Sequence, residues 1–202
     1  RCSKKEVKIS EVMPADFTKE INSCIDVLQK GGLILYPTDT VWGIGCDATN
    51  TEAVKKVYDI KNREDSKALI CLVANDAMLE RHVDFVPELA YDLIDLSTKP
   101  TTIIYDSPKG VAKNLVASDD TLAIRVASDK FCQYLINKFK KPIVSTSANI
   151  SGQPTPRTFD EISSVILKGV DYVVNLQPEH KNAVPSAIIK LSNDGRVKVI
   201  RE

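Results

Sequence analysis

The sequence has no excess of either charge. Its 202 residues include 27 Lys and Arg and 27 Asp and Glu, so the formal net charge is zero. A protein that binds nucleic acid over its whole surface carries a large positive charge, and this composition excludes that class. A local basic patch is still compatible with it.

Long apolar runs are also lacking. No stretch approaches 18 apolar residues, which predicts no membrane-spanning helix, and residues 1–6 lack the apolar core of a signal peptide. The five cysteines are odd in number, widely spaced and never in a CxxC pair. This pattern is typical of small buried side chains in a reducing compartment. We therefore expect a cytoplasmic protein without disulfides or membrane segments.

Histidine is scarce, and the common phosphate motifs are missing. His82 and His180 lie far apart and outside any HExxH pattern, so neither a histidine metal site nor a Ser-His-Asp triad is supported. Gly43-Ile44-Gly45 lacks the third glycine of GxGxxG, and no GxxxxGK[ST] occurs. The sequence predicts no metal held by the protein itself, with Mg²⁺ entering only alongside a phosphate ligand.

Helix-like and strand-like patterns alternate along the whole chain. This alternation predicts an α/β domain with a mixed sheet, and no linker divides it, so residues 1–202 are expected to form a single domain. The expected helices begin at Asp16 (ending at Gly31-Gly32), at Asn50 or Thr51, and span 75–81, 87–97 and 131–139, with a further one after a capping box at 158–161. The expected strands are 7–9, 33–36, 68–73, 101–105, 121–126, 142–145, 172–174, 187–191 and 197–200.

A first polar cluster follows the expected strand 33–36. Pro37 ends that strand, and residues 38–45 then supply two hydroxyls, a carboxylate and two glycines. These residue types suit a backbone that bends or approaches a ligand closely. Composition alone favours the alternative, a tight turn that buries Trp42.

A second cluster is cationic and lies between an expected helix and an expected strand. Lys61, Arg63 and Lys67 place three cations within seven residues. The guanidinium fork and the compact ammonium groups can neutralise a polyphosphate. The alternative is that Lys61 and Arg63 only complement the negative end of the preceding helix.

A third cluster, residues 145–152, is rich in hydroxyls and follows the expected strand 142–145. It carries four hydroxyl side chains and the amide of Asn149. Such groups hydrogen-bond phosphate or ribose oxygens, although serine, asparagine and glycine are also common in turns. So many hydroxyls at one strand end favour a binding role. Open α/β sheets place their ligands at strand ends of this kind.

Together the three clusters resemble the YrdC-like family of threonylcarbamoyl-AMP synthases, in its single-domain form. The similarity rests on the stretch 31–45, on Lys61-x-Arg63 and on Ser147-x-Asn149, and it extends from about residue 16 to the end. It implies a twisted mixed sheet flanked by helices, with a central cationic cleft. It also implies a reaction in which L-threonine, bicarbonate and ATP give threonylcarbamoyl-AMP and pyrophosphate for tRNA modification.

The resemblance further implies which residues act. Those carried over to ATP binding are Lys61, Arg63, Lys67, Thr121, Ser145, Ser147, Asn149 and Arg201. Lys61, Arg63, Ser147 and Asn149 are the residues assigned to catalysis, and Thr40, Arg125 and Ser186 those assigned to threonine. Arg125 would face the threonine carboxylate. It lies inside a strand-like run, where a charge is costly unless it is paired, and this independently favours a ligand there.

The chemistry needs no covalent enzyme nucleophile. The threonine amine forms a carbamate with bicarbonate or CO₂, and the carbamate attacks the α-phosphate. Positioning and cationic stabilisation then account for the rate, and Mg²⁺ is expected on the ATP phosphates. The expected partners are L-threonine, bicarbonate and ATP, with tRNA or tRNA-modification proteins as further candidates and no DNA or membrane.

Two alternatives stay open at this stage. One is a module that binds double-stranded RNA or tRNA without catalysis, although zero net charge argues against high affinity. The other is a divergent paralogue with a different carbamoyl or acyl substrate. Leu72 replaces a histidine found in some members, and Pro185 precedes Ser186 where a polar residue is usual, so the amino-acid specificity is open.

Overall fold

The computed structural model describes residues 15–62, 69–176 and 184–202. The expected strand 7–9 and the cations Arg63 and Lys67 lie outside these ranges. The described residues form six α-helices: α1 (Ala15–Gln29), α2 (Thr51–Lys61), α3 (Asp76–His82), α4 (Glu88–Leu96), α5 (Lys130–Phe139) and α6 (Ser164–Gly169). They also form nine strands: β1 (Ile34–Tyr36), β2 (Gly43–Gly45), β3 (Ile70–Val73), β4 (Thr101–Asp106), β5 (Thr121–Val126), β6 (Ile143–Ser147), β7 (Tyr172–Val173), β8 (Ala187–Leu191) and β9 (Val197–Arg201).

These strands make one open, mixed sheet in the order β7-β1-β2-β6-β3-β5-β4-β8-β9. Strands β1 and β7, β3 and β5, and β4 and β8 pair in parallel, and the other neighbours pair antiparallel. Helices α3, α4 and α5 contact the central strands. The predicted α/β class with a mixed sheet flanked by helices is confirmed.

Local signals in the sequence fix most helix ends. Asn50 begins α2 because its side-chain oxygen accepts hydrogen bonds from the backbone N–H groups of Glu52 and Ala53. Asn62 ends α2 in the left-handed conformation, at φ 49°. Asp129 caps α5 in the same manner, by accepting from the N–H of Cys132.

The stretch 43–45 was expected to be part of a turn, and this expectation is wrong. It forms β2, a strand between β1 and β6. The two glycines hid this strand, because glycine weakens a strand pattern. Close packing requires the second one: a Cβ on Gly45 would lie 2.6 Å from Tyr36 Cε1 and 2.9 Å from the Val144 carbonyl oxygen.

Two other boundaries differ from the sequence-based expectation. Strand β6 continues through Ser147, so the first hydroxyls of the third cluster belong to the sheet and do not follow it. The capping box is also absent from the described structure, since the carboxylate of Glu161 accepts from the N–H of Arg157. Thr158 precedes only a short 3₁₀ turn, and Ser163 caps α6 instead.

The central strands carry different chemistry on their two faces. Side chains of residues paired across neighbouring strands project to the same face, and alternate residues along a strand do so too. One face is mostly apolar, and its buried residues are Val144, Cys71, Val73, Leu122, Ile124, Ile103 and Tyr105. The other, called here the polar face, carries Ser145, Ser147, Ile70, Leu72, Thr121, Ala123, Arg125 and Thr102.

The four described cysteines are free and buried. Burial raises the pKa of the Cys24 and Cys71 thiols to about 12, so these thiols are protonated and inert at neutral pH. The expectation of small buried side chains holds for these four, and Cys2 lies outside the described residues. Within residues 15–62, 69–176 and 184–202, no helix has the length and apolarity needed to cross a bilayer.

Candidate active site

Lys61 is the last residue of α2, and its side chain is 1% exposed. Its Nζ donates to the carbonyl oxygens of Ser147 and Asn149, at 2.5 and 2.7 Å. The backbone carbonyl of Lys61 in turn accepts from the N–H of Ser151. The helix-end alternative gave Lys61 no role beyond complementing the negative end of α2, whereas the structure holds its ammonium group, buried, against the end of β6.

The residues after β6 form a hydrogen-bonded loop around Asn149. Ser147 Oγ donates to Asn149 Oδ1 at 2.5 Å, while Asn149 Nδ2 donates to the carbonyls of Ile150 and Gln153. Both side chains are only partly buried. The loop therefore has the turn chemistry that the sequence offered as the alternative, and it is also held beside the Lys61 ammonium.

Thr121 and Ser145 also lie on the polar face, Ser145 on β6 and Thr121 two strands away on β5. Ser145 is two residues before Ser147, and Thr121 begins β5, two residues before Ala123, which pairs with Ile70 at the start of β3. Both are buried, at 5% and 7% exposure. The Thr121 hydroxyl donates to Asp119, whose pKa is lowered first by its hydrogen bond from Lys190 and then by this one.

A second group of predicted residues surrounds Arg125, four residues further along β5 and thus about 13 Å from Thr121. Arg125 Nη2 lies 3.0 Å from Asp39 Oδ1 and 3.4 Å from Thr40 Oγ1. The Asp39 and Arg125 side chains are each 4% exposed. Asp39 and Thr40 belong to the turn between β1 and β2, which reaches β5.

Ser186 lies in the same region, next to Thr102. The two hydroxyl oxygens are 2.8 Å apart and both residues are almost fully buried. Thr102 is opposite Arg125 in the register of β4 and β5. Arg201, on the outer strand β9, donates to the Ser186 carbonyl from Nε and Nη2 at 2.9 and 2.7 Å.

The structure thus gathers the predicted residues into two groups that the polar face connects. Lys61, Ser145, Ser147 and Asn149 form the first group, with Thr121 nearby, and Thr40, Arg125 and Ser186 form the second. Arg201 was expected with the nucleotide residues, yet its described contacts are in the second group. Burial, followed by the neighbouring charge of Arg125, lowers its pKa. Two arginines therefore converge there.

Three further residues of the second group were missed from the sequence: Asp39, Ser128 and Thr102. Asp39 lies within residues 31–45, the first stretch that resembles the family. Its charge between two threonines is the signal that could have identified it. Ser128 and Thr102 carry no such signal, because only the fold brings them to Asp39 and Ser186.

The described residues contain no cluster of three or more His, Cys, Asp or Glu side chains that could hold a metal ion. The site residues instead supply hydroxyls, an amide and cations, and the one carboxylate among them, Asp39, is paired with Arg125. This donor set suits an anionic organic ligand better than a metal cage.

This arrangement defines the class of protein: an α/β domain in which a polar site suited to an anionic ligand lies on one face of an open mixed sheet. Comparison with known proteins narrows the class. The family model for Sua5, YciO and YrdC proteins, described as "Telomere recombination", matches residues 26–202. The chain belongs to this family, and the suspected resemblance is confirmed.

Individual relatives agree with the family model. A threonylcarbamoyl-AMP synthase of Pseudoalteromonas translucida is 37% identical over 180 residues, which are 88% of this chain and 95% of the relative. The crystal structure of P. abyssi Sua5 complexed with L-threonine matches at TM-score 0.76 and 26% identity, covering 85% of this chain but 50% of that one. The chain thus spans half of that Sua5 protein. E. coli YciO matches at TM-score 0.78 and 26% identity over 91% of this chain and 89% of that chain.

Proposed function

We propose that this chain is a threonylcarbamoyl-AMP synthase, an enzyme that makes threonylcarbamoyl-AMP and pyrophosphate from L-threonine, bicarbonate and ATP. The observation that carries the proposal is the polar face, which connects the Lys61 group with the Arg125 group. The first group supplies cation and hydroxyl donors for a nucleotide, and the second supplies a guanidinium and hydroxyls for a small amino acid. The relative from P. translucida carries the name of this activity.

In this proposal the second group holds threonine. Arg125 meets the carboxylate, and Thr40 and Ser186 supply hydroxyls around the substrate. The threonine nitrogen, as a carbamate, presents an oxygen to the α-phosphorus of ATP. A new phosphorus–oxygen bond forms while the bond to the bridging oxygen of the β-phosphate breaks, and pyrophosphate leaves with that electron pair.

The first group holds the nucleotide. Lys61, Arg63 and Lys67 would neutralise the triphosphate, and Ser147 and Asn149 would fix the phosphate that is attacked. Cations aimed at the charge that develops on the phosphoryl oxygens stabilise the transition state. Thr121 and Ser145 would contact the nucleotide, and Arg201 would reach it from the second group.

Mg²⁺ fits this site only through the ATP phosphates, because the described residues supply hydroxyls and cations and no carboxylate cluster. When bound there it would neutralise phosphate charge. The central cationic cleft is likewise a proposal. It depends on Arg63 and Lys67, since Arg125 is already paired with Asp39.

Bicarbonate, and tRNA or tRNA-modification proteins as later partners, belong to the same proposal. The product would supply the threonylcarbamoyl group that is placed on tRNA. A single domain over 1–202 and a cytoplasmic location remain predictions from the sequence.

The experiment is pyrophosphate release from ATP with and without bicarbonate, using L-threonine and L-valine as alternative amino acids. Valine has nearly the same shape but no hydroxyl, and a site that hydrogen-bonds a substrate hydroxyl rejects such an analogue strongly. We expect release that needs bicarbonate and favours threonine over valine. Equal rates of pyrophosphate release with valine and threonine, or release without bicarbonate, would contradict this proposal and favour a divergent paralogue with a different carbamoyl or acyl substrate.

The Arg125→Ala variant gives a second arm of this experiment. It should remove the dependence of release on the amino acid, because the carboxylate loses its cationic partner. Absence of nucleotide turnover, together with RNA binding that weakens steeply with salt, would favour the RNA-binding module instead.

A further inference from the structure

Asp39 has a charged or polar partner at each carboxylate oxygen, an ion pair at Oδ1 and a hydrogen bond at Oδ2. Oδ1 lies 3.0 Å from Arg125 Nη2, and Oδ2 accepts a 2.6 Å hydrogen bond from the hydroxyl of Ser128. Ser128 lies two residues after the end of β5 and directly before Asp129, the cap of α5. Through the Asp39 side chain, the turn between β1 and β2 therefore contacts both β5 and the segment that joins β5 to α5.

This contact also fixes the orientation of the guanidinium. Arg125 uses Nη2 for Asp39 and for Thr40, whereas its Nε has no hydrogen-bond partner among the described residues. A buried N–H without a partner is costly. One donor of the fork is thus used internally, while another remains for an incoming acceptor.

A second carboxylate would compete for Arg125 if Asp39 were absent. Asp129 lies close enough for both Asp39 and Arg125 to influence it, and burial is the main reason that its pKa is raised. A guanidinium released by Asp39 would find in Asp129 the next negative charge. Turning towards it would take the guanidinium out of the orientation that it has beside Asp39.

We infer that Asp39 is a positioning residue, which holds the Arg125 guanidinium in the orientation that binds the carboxylate of the amino-acid substrate. This inference rests on the proposed function, because it takes Arg125 as the carboxylate partner. It extends that function to a residue of the first polar cluster that would not touch the substrate. A guanidinium held in place before binding loses less freedom when the ligand arrives.

The test compares Asp39→Asn with the wild type in steady-state pyrophosphate release and in direct calorimetric titration with L-threonine. We expect KM and Kd for threonine to rise about tenfold to a hundredfold, the range for losing one charged hydrogen bond between Arg125 and the threonine carboxylate. KM for ATP should change little. An unchanged or lower KM and Kd for threonine would overturn the inference, the lower value because Asp39 would then be a competitor for Arg125.

Ser128→Ala guards against a folding failure of the first variant. It removes only the hydroxyl on Asp39 Oδ2, from an exposed residue, so the ion pair and the fold are retained. Its KM for threonine should rise by a smaller factor in the same direction, and an unchanged value would count against the inference.

Asp47→Asn is the matched control. Asp47 is also a buried aspartate, and it is paired with Lys141 at 2.7 Å. It follows β2 in the chain, whereas the turn that carries Asp39 precedes β2. It should lower Tm without changing KM for threonine. If the wild type itself releases no pyrophosphate with threonine and bicarbonate, the proposed function fails. If the wild type is active but Asp39→Asn and Asp47→Asn have the same KM for threonine, this inference fails and the proposed function stands.

Discussion

At the scale of single residues, the candidate site uses side chains that also support the fold. Lys61 fastens the end of β6, and Asn149 closes the loop that follows it. From the sequence, a turn or helix-end role and a binding role were alternatives for these residues. In the structure one role does not exclude the other, because the residues that shape this part of the backbone lie directly at the end of β6, beside Ser147 of the polar face.

Lys61→Met should lower both stability and turnover. Two partly buried carbonyls, those of Ser147 and Asn149, lose their donor, at a cost of about 1–3 kcal/mol. Pyrophosphate release should fall further than the folded fraction does, because a phosphate-binding cation is also lost. Thermal melts and turnover measured on the same preparation separate the two effects.

Lys56→Met is the control for that variant. Lys56 lies on the same helix and also donates to a backbone carbonyl, that of Gly31, at 2.8 Å. It should lower Tm without a specific loss of turnover. Equal losses of turnover in both variants, in proportion to unfolding, would leave Lys61 with a structural role only.

Asn149→Ala should affect stability and turnover together. The side chain makes three hydrogen bonds within its loop, so Tm should fall, and turnover should fall beyond the loss of folded protein. Asn114→Ala serves as the comparison, since its side chain donates to the Thr51 carbonyl elsewhere. Full specific activity in the folded fraction of Asn149→Ala would contradict a role in the nucleotide site.

At the scale of elements, α2 and the turn between β1 and β2 position the two groups of residues. Helix α2 places Lys61 at its carboxyl end, against β6. The turn places Asp39 and Thr40 against β5, and Trp42 of the same turn packs on Phe159, with ring centres 5.1 Å apart. Helix α2 is therefore joined to β6, and the turn is joined to β5, by the residues of the candidate site.

Asn50→Ala tests how firmly α2 is held. The loss of its two cap hydrogen bonds, at 3.0 and 3.1 Å, should cost about 0.5–2 kcal/mol of unfolding free energy. Chemical denaturation measures the change. Thr158→Ala is the control, because Thr158 precedes a helical turn but makes no side-chain cap bond in the described structure. It should be nearly neutral, and a similar loss in both variants would contradict the assigned cap.

At the scale of the whole molecule, the sheet separates an apolar core from a polar face. Burial also determines which groups respond to pH. His82 is partly buried, and this burial is the main cause of its lowered pKa; the charges of Arg81 and Lys109 lower it further. The lowered pKa makes the neutral ring the favoured form in the folded protein.

The stability linked to His82 should therefore be lost as pH falls. Above the ordinary pKa of 6.5 the ring is neutral in both states, and below it the unfolded chain takes up the proton first. His82→Gln should flatten the decrease of Tm between about pH 7.5 and pH 5.5. The measurement is the difference in Tm between His82→Gln and the wild type at each pH. The raised pKa of Asp129 changes stability with pH in the opposite direction, but it does so in both proteins and cancels in this difference. Parallel Tm curves would contradict this assignment.

The sequence by itself determined the element types and the candidate residues. Apolar periodicity, Asn50 and the Gly31-Gly32 pair were local signals, and they predicted α1, α2 and most strands. Among the described elements, the short strand β2, the end of β6 and the start of α6 differed from the expectation. Glycines weakened the β2 pattern, and a capping-box motif imitated a helix start before α6. The three polar clusters were also visible from residue types alone.

Only the tertiary structure decided how those residues meet. Thr40 and Arg125 are 85 positions apart, and strand register together with the path of one turn brings them into contact. The same long-range pairing gave Arg125 a partner in Asp39, buried Lys61 against β6 and placed Arg201 beside Ser186. Hydrophobic periodicity specifies which face of an element is buried, but it does not specify which distant element covers that face.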